Sequence, residues 1–179
     1  MLTKILLVIA ALLVGLVVVI ALRPADFRIS RSALIAAPPE VTFAQVNDLH
    51  KWEAWSPWAK LDPAAKQTYE GPPAGTGASF AWDGNNKVGA GKMTITDSRP
   101  SEFVRLRLEF LKPFKAVNTA ELTFAPEGQQ TRVTWTMSGK NNFMSKAVGL
   151  VINCDKMVGG DFEKGLASLN SAAGAMVKK

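Results

Sequence analysis

Hydrophobic and polar positions fall into three regimes along this chain. Beginning at Ile5 and ending at Leu22, no charged or strongly polar residue interrupts the apolar run, and about 18 such residues suffice to cross a bilayer as a helix. Over residues 66–140 the pattern becomes short alternating runs separated by Gly, Pro, Asn and Asp clusters, which predicts an antiparallel meander. Beyond Asn141-Asn142 it turns helical. Residues 143–152 come first, then a Gly159-Gly160 interruption, then Phe162, Leu166, Leu169, Ala173 and Met176 at steps of three and four. The expected fold is α+β: a curved antiparallel sheet, a long closing helix lying across it, and one transmembrane helix in front.

The clearest strand is 102–111, where Val104, Leu106, Leu108 and Phe110 alternate with Arg105, Arg107 and Glu109. The same alternation places Phe80 with Trp82 before the turn Asp83-Gly84-Asn85-Asn86. It also places Met93 with Ile95, and Val133 with Trp135 and Met137, on one apolar face. Gly75, Gly77, Gly89 and Gly91 mark bulges or bends. Ahead of the meander, residues 27–36 suit an opening edge strand. Pro38-Pro39 then starts a short helix whose apolar face is Val41, Phe43, Ala44, Val46 and Leu49. Trp52, Trp55 and Trp58 follow at a spacing of three, which stacks rings along one side of a helical turn that Pro57 ends. Terminal Lys178 and Lys179 are expected to fray.

A cleaved signal peptide is the alternative to an anchor, because Val19-Ile20-Ala21 presents small residues where cleavage could follow. The apolar run, however, continues unbroken to Arg23 and Pro24, longer than the about 7–15 residues of a signal peptide's apolar region. This favours an anchor over residues 1–23 and one folded domain over 24–179. Arg23, Arg28 and Arg31 follow the run and Lys4 precedes it, so counting basic residues places the body in the cytoplasm. The very short N-terminal tail equally suits a body outside, so the side of the membrane stays open. The net charge of +6, of which Lys4 supplies one, suits an anionic membrane surface better than a nucleic acid. Cys154 is the one cysteine, which rules out an intramolecular disulfide and a thiol metal cluster.

Several local motifs recur together: Ile35-Ala36-Ala37-Pro38-Pro39-Glu40-Val41 with Asn47-Asp48-Leu49 and Trp52; Trp55-Ser56-Pro57-Trp58; Gly75-Thr76-Gly77; Phe110-Leu111-Lys112-Pro113-Phe114; and Thr131-Arg132-Val133-Thr134-Trp135. With the order of elements, these resemble the START-like (SRPBCC) superfamily, in particular its polyketide cyclase/dehydrase-like branch, over all of the chain after the anchor. The resemblance implies a helix-grip fold and a bacterial source. It also implies a deep, mostly apolar cavity between sheet and closing helix, used across the superfamily for lipids, sterols, polyketides and other hydrophobic ligands. It does not imply cyclase activity, since one fold hosts many chemistries.

The cavity lining expected from the alternation is Phe80, Trp82, Met93, Leu106, Leu108, Phe110, Leu122, Trp135 and Met137 from the sheet, with Phe162 and Leu166 from the helix. Ile95, Phe124, Met157 and Leu169 complete the apolar faces. Catalytic groups are scarce. His50, the one histidine, sits between the short helices beside Lys51, where a capping role suits it better than catalysis. Tyr69 lies in a strand and is expected to satisfy a structural hydrogen bond. Asp155, Asp161 and Glu163 suit a solvated helix face. One His and one Cys far apart do not make a metal site, and the glycines at 71–77 match no phosphate loop. The tryptophans suit packing against the sheet better than an interfacial belt. No catalytic constellation, cofactor or metal is therefore assigned.

Three functions remain open. The first is membrane-tethered binding of a lipid-like or other hydrophobic small molecule between sheet and C-terminal helix. The second is a cyclase- or dehydratase-like enzyme using Tyr69, Asp155 or Asp161. The third is a filled-core interaction protein that presents its tryptophans.

Overall fold

A computed structural model describes residues 1–177, so the expected fraying of Lys178 and Lys179 lies outside the described residues. The chain begins with helix α1 (Leu2–Leu22), exposed along nearly its whole length, whose mean hydropathy over an 18-residue window is 3.5. By length and composition it meets the requirement for a membrane span, one that a signal sequence also meets.

The body is a seven-stranded antiparallel sheet: β1 (Asp26–Ile35), β2 (Lys66–Glu70), β3 (Ser79–Asp83), β4 (Ala90–Arg99), β5 (Phe103–Lys112), β6 (Ala116–Glu127) and β7 (Gln130–Lys140), in the order β1-β7-β6-β5-β4-β3-β2. The meander is as the alternation predicts, and β1 closes it as an edge strand, paired from Asp26 with Lys140 to Ile35 with Thr131. Between β1 and β2 lie α2 (Pro39–Val46), a single 3-10 turn (Leu49–Lys51) and α3 (Trp52–Trp55). After β7 come α4 (Phe143–Val148) and α5 (Cys154–Val177). Pro39 occupies the first turn of α2, where its missing N–H costs nothing.

Three expectations need correction. The buried residues of α2 are Thr42, Gln45 and Val46, whereas Val41, Phe43 and Ala44 are only half-buried. Thr42 is admitted because its hydroxyl donates back to the Pro38 carbonyl at 3.1 Å, and the indole N–H groups of Trp55 and Trp52 donate to the Gln45 and Val46 backbone carbonyls at 3.1 and 2.8 Å. The tryptophans thus satisfy carbonyls that the end of a helix leaves without partners.

The second correction concerns Gly159-Gly160, which do not interrupt the last helix. α5 runs through them, and the break falls earlier, between α4 and Cys154. A Cβ on Gly159 would collide with the guanidinium of Arg31, and one on Gly165 would lie 2.8 Å from the Trp135 ring and 3.1 Å from Pro57. These glycines let the helix settle on its neighbours; close approach, not helix breaking, explains them. Third, Met157 is 55% exposed and points away from the face formed by Phe162, Leu166 and Leu169.

Helix α5 approaches the sheet most closely along β1 and leans on α2 and α3, so it grips one side of the inner face instead of crossing all of it. Under it lies the packed core: Ile35, Val46, Leu49, Trp55, Val104, Leu106, Leu122, Val133, Phe162, Leu166 and Leu169, each at most 2% exposed. Burial of each such side chain stabilises the fold by about 1.5–3 kcal/mol.

Candidate functional site

The inner face of the sheet carries two aromatic groups in different states. Beneath α5, the ring of Trp135 on β7 stacks on Phe162 at 4.3 Å and 5° and meets Trp52, Trp55 and Trp58 edge-on at 5.6–5.9 Å. This cluster is closed: Trp135 is 2% exposed and its buried indole N–H has no hydrogen-bond partner among the described residues. Trp52 and Trp55 are buried here and Trp58 is half-buried, which supports packing over an interfacial belt.

The second group is open. A row of rings crosses from the 3-10 turn over the far strands: His50 to Tyr69 (4.0 Å, stacked), Tyr69 to Phe80 (4.9 Å), Phe80 to Trp82 (6.0 Å) and Trp82 to Phe110 (6.2 Å). The register places these residues on one face, since Tyr69 pairs with Phe80, Phe80 with Met93, Met93 with Leu108 and Trp82 with Gly91. Gly91 is what lets the Trp82 indole lie down, because a Cβ there would touch the ring at 2.5 Å. Tyr69, Phe80, Trp82, Leu108 and Phe110 are all half-buried, and Met93 and Met137 beside them are nearly covered. The rings, partly wet and outside the closest reach of α5, form an apolar floor beside the buried Met93 side chain.

The predicted lining therefore divides. Leu106, Leu122, Trp135, Phe162 and Leu166 are packed core, Met93 and Met137 are buried with them at 7% and 8% exposure, and Phe80, Trp82, Leu108 and Phe110 belong to the open end. Phe27, an inner-face position on β1 that the alternation of 27–36 also marks, is half-buried and lies close to Asn118 and Gly139 at the same end.

Two recesses lie near the sheet, one on each side. One of about 270 Å³ sits at the margin of the inner face, lined by Leu49, His50, Tyr69, Pro72, Pro73 and Ala78 among others. A larger one of about 640 Å³ is lined mostly by residues on the other face of the sheet, including Arg105, Arg107, Thr119 and Ser138. Only Leu106 of the expected lining borders it. The larger recess is thus not the space between sheet and closing helix.

The polar candidates are occupied. The Tyr69 hydroxyl donates to Gln67 at 3.2 Å, and burial pushes its pKa up, assisted by Glu53 and Asp48. Asp48 caps the 3-10 turn by accepting from the His50 backbone N–H at 3.0 Å and lies 3.2 Å from the His50 ring, so Asp48 supplies the cap and His50 receives it. Asp155 and Glu163 both bind Arg31 at 2.9 Å, and Asp161 pairs with Lys164 at 3.1 Å. Bonding to Arg31 holds the Asp155 carboxyl below the usual carboxylate range. Asp155 and Glu163 therefore clasp α5 to β1 while staying on the solvated face expected of them, and Asp161 pairs within α5. Among the described residues no group of three or more His, Cys, Asp or Glu is placed to hold a metal ion.

Solved structures share this architecture. A protein of unknown function from Staphylococcus aureus aligns over 88% of this chain and 99% of its own, at 10% identity and a TM-score of 0.63. The Aha1 dimer from Colwellia psychrerythraea aligns over 82% and 96%, at 15% identity and 0.58. The di-domain ARO/CYC StfQ from the steffimycin biosynthetic pathway aligns over 87% of this chain and 53% of its own, at 10% identity and 0.61. At such identities these likenesses establish the helix-grip fold and nothing further. No curated protein matches the chain in sequence. A family model does, over residues 26–174, and its description is polyketide cyclase / dehydrase and lipid transport. With a match across nearly the whole body and the sheet-and-helix grip in place, this chain belongs to the polyketide cyclase/dehydrase and lipid transport family, within the START-like (SRPBCC) group.

Proposed function

We propose that the chain binds a lipid-like or other hydrophobic small molecule on the open aromatic row, and that α1 tethers the body, residues 24–179, to a membrane. The row from Tyr69 to Phe110 carries this reading. Half-buried rings adjoining one another on an inner sheet face leave apolar surface in water that an apolar ligand would cover. The family, whose fold holds hydrophobic ligands, supports it. Occupation of Tyr69, Asp155 and Asp161 by neighbouring side chains favours binding over cyclase or dehydratase chemistry, for which a free acid or base must face the substrate. The incompletely covered row likewise disfavours a filled-core interaction protein.

The test is native mass spectrometry with lipid extraction on the body beginning at Arg23. That part is suitable because solved relatives of the fold align over nearly their whole length with 82–88% of this chain. A stoichiometric apolar mass that copurifies supports the reading and names the ligand class. A body that is empty and refuses fluorescent fatty-acid and sterol probes overturns it.

A further inference from the structure

The strand register gathers one end of the sheet beside the anchor. Asp26 pairs with Lys140, Asn118 with Gly139, Phe110 with Ala116 and Trp82 with Gly91, so the start of β1, the end of β7, the β5–β6 hairpin and the mouth of the aromatic row share that end. Helix α1 is fastened there. The Lys146 ammonium on α4 donates to the Ala21 carbonyl at 3.1 Å, and the Arg23 guanidinium donates to the Gly149 carbonyl at 2.9 Å.

Exposed large apolar side chains concentrate at the same end. The β5–β6 hairpin and its flanks show Leu111, Phe114 and Val117; α4 shows Phe143 and Met144; and the link to α5 shows Leu150, Val151 and Ile152, with Val151 89% exposed. The opposite turns are polar, with Arg99, Ser101 and Glu102 between β4 and β5 and Glu127, Gly128 and Gln129 between β6 and β7. Basic residues accompany the apolar ones: Lys115, Lys140, Lys146 and Lys156 have no acidic partner among the described residues.

We propose that this end of the body is a second membrane contact, in which the β5–β6 hairpin, α4 and the 149–153 link dip into an anionic bilayer surface and hold the mouth of the aromatic row against lipid. The inference rests on the reading of α1 as a tether and of the row as an apolar binding face. Its occupant is a bilayer because the patch is continuous with the point where α1 leaves the membrane, and because an apolar surface ringed by lysines matches the interface between acyl chains and anionic headgroups.

Cys154, exposed and the one cysteine in the chain, lies beside the link and allows a direct test. The full chain, carrying an environment-sensitive fluorophore on Cys154, is reconstituted in vesicles of phosphatidylcholine with phosphatidylglycerol. The control label sits at Gln129→Cys in a Cys154→Ser background, on the turn at the far end of β6 and β7, about 30 Å along the strands. The expected result is a blue shift at position 154 and quenching by shallow spin-labelled lipid several-fold stronger than at 129. Val151→Asp with Ile152→Asp should abolish both, while α1 keeps the protein in the vesicle fraction. A label at 154 that aqueous iodide quenches as readily as at 129 overturns the proposal. A blue shift without lipid quenching also overturns it, since protein then covers the patch. Ligand copurification with the isolated body decides the binding reading independently, so either can fail while the other stands.

Discussion

Arg31 leaves the edge strand to hold Asp155 and Glu163 of α5, two positions flanking Gly159. Nothing in the local pattern reveals this clasp, because its partners are 124 and 132 residues apart in sequence and periodicity reports only which side of a helix is apolar. Bonding to Arg31 lowers the Asp155 pKa from its ordinary value, as Lys92 does for Glu70 and Arg132 for Glu127. A carboxylate lowered in the folded state contributes stability above its unfolded pKa, about 4, and loses that contribution as pH falls through the lowered value. Hydrogen-exchange protection at the start of α5, corrected for the intrinsic rate at each pH, should therefore fall below about pH 4, and Asp155→Asn should remove much of that acid step; an unchanged profile would contradict the clasp. The two close-packed glycines should respond differently to alanine. At Gly159 the obstacle is the flexible end of Arg31, so the side chain moves aside, and the helix-propensity gain of about 1 kcal/mol leaves urea stability nearly unchanged. At Gly165 the obstacles are the buried Trp135 ring and Pro57, which cannot move cheaply, and overpacking there should cost about 1–3 kcal/mol in the same measurement.

The strands were the most legible elements. In a sheet with one apolar face, each strand writes its burial directly as alternation, and Val104, Leu106, Val133 and Trp135 are buried as that alternation predicts. The helices were harder to place. Thr42 and Gln45 face inward on α2 through contacts no apolar count records, and the break in the C-terminal helices follows tertiary fit, not the glycine pair. The division of the inner face was also invisible, since Leu106 and Leu108 have the same sequence pattern and differ only in what covers them. That difference predicts opposite phenotypes. Leu166→Ala, on the gripping face of α5, should cost about 2–5 kcal/mol in urea unfolding. Trp82→Ala, on the half-buried row, should cost distinctly less stability while lowering affinity for an apolar probe at least as much as any core substitution that leaves the protein folded. Equal stability losses with no change in probe affinity would count against two separate zones.

At the scale of the molecule, the closed cluster around Trp135 lies under α5 and the open row continues the same inner face beyond the helix's closest reach. Their separation explains how a small body keeps a packed core while leaving aromatic surface uncovered. On the proposed reading, ligand binding would depend on β2 to β5, while α5 packs against β1, α2 and α3. The anchor-end rim, with its apolar hairpin and lysines, would hold that floor close to a source of hydrophobic molecules. The most direct test of the central claim is to crosslink a photoactivatable fatty acid to the body at saturation and map the adducts by peptide sequencing. The account predicts adducts at Trp82, Leu108 or Phe110, diminished by unlabelled competitor. Adducts confined to Thr119 and Ser138 in the groove on the other face, or no saturable labelling at all, would contradict it.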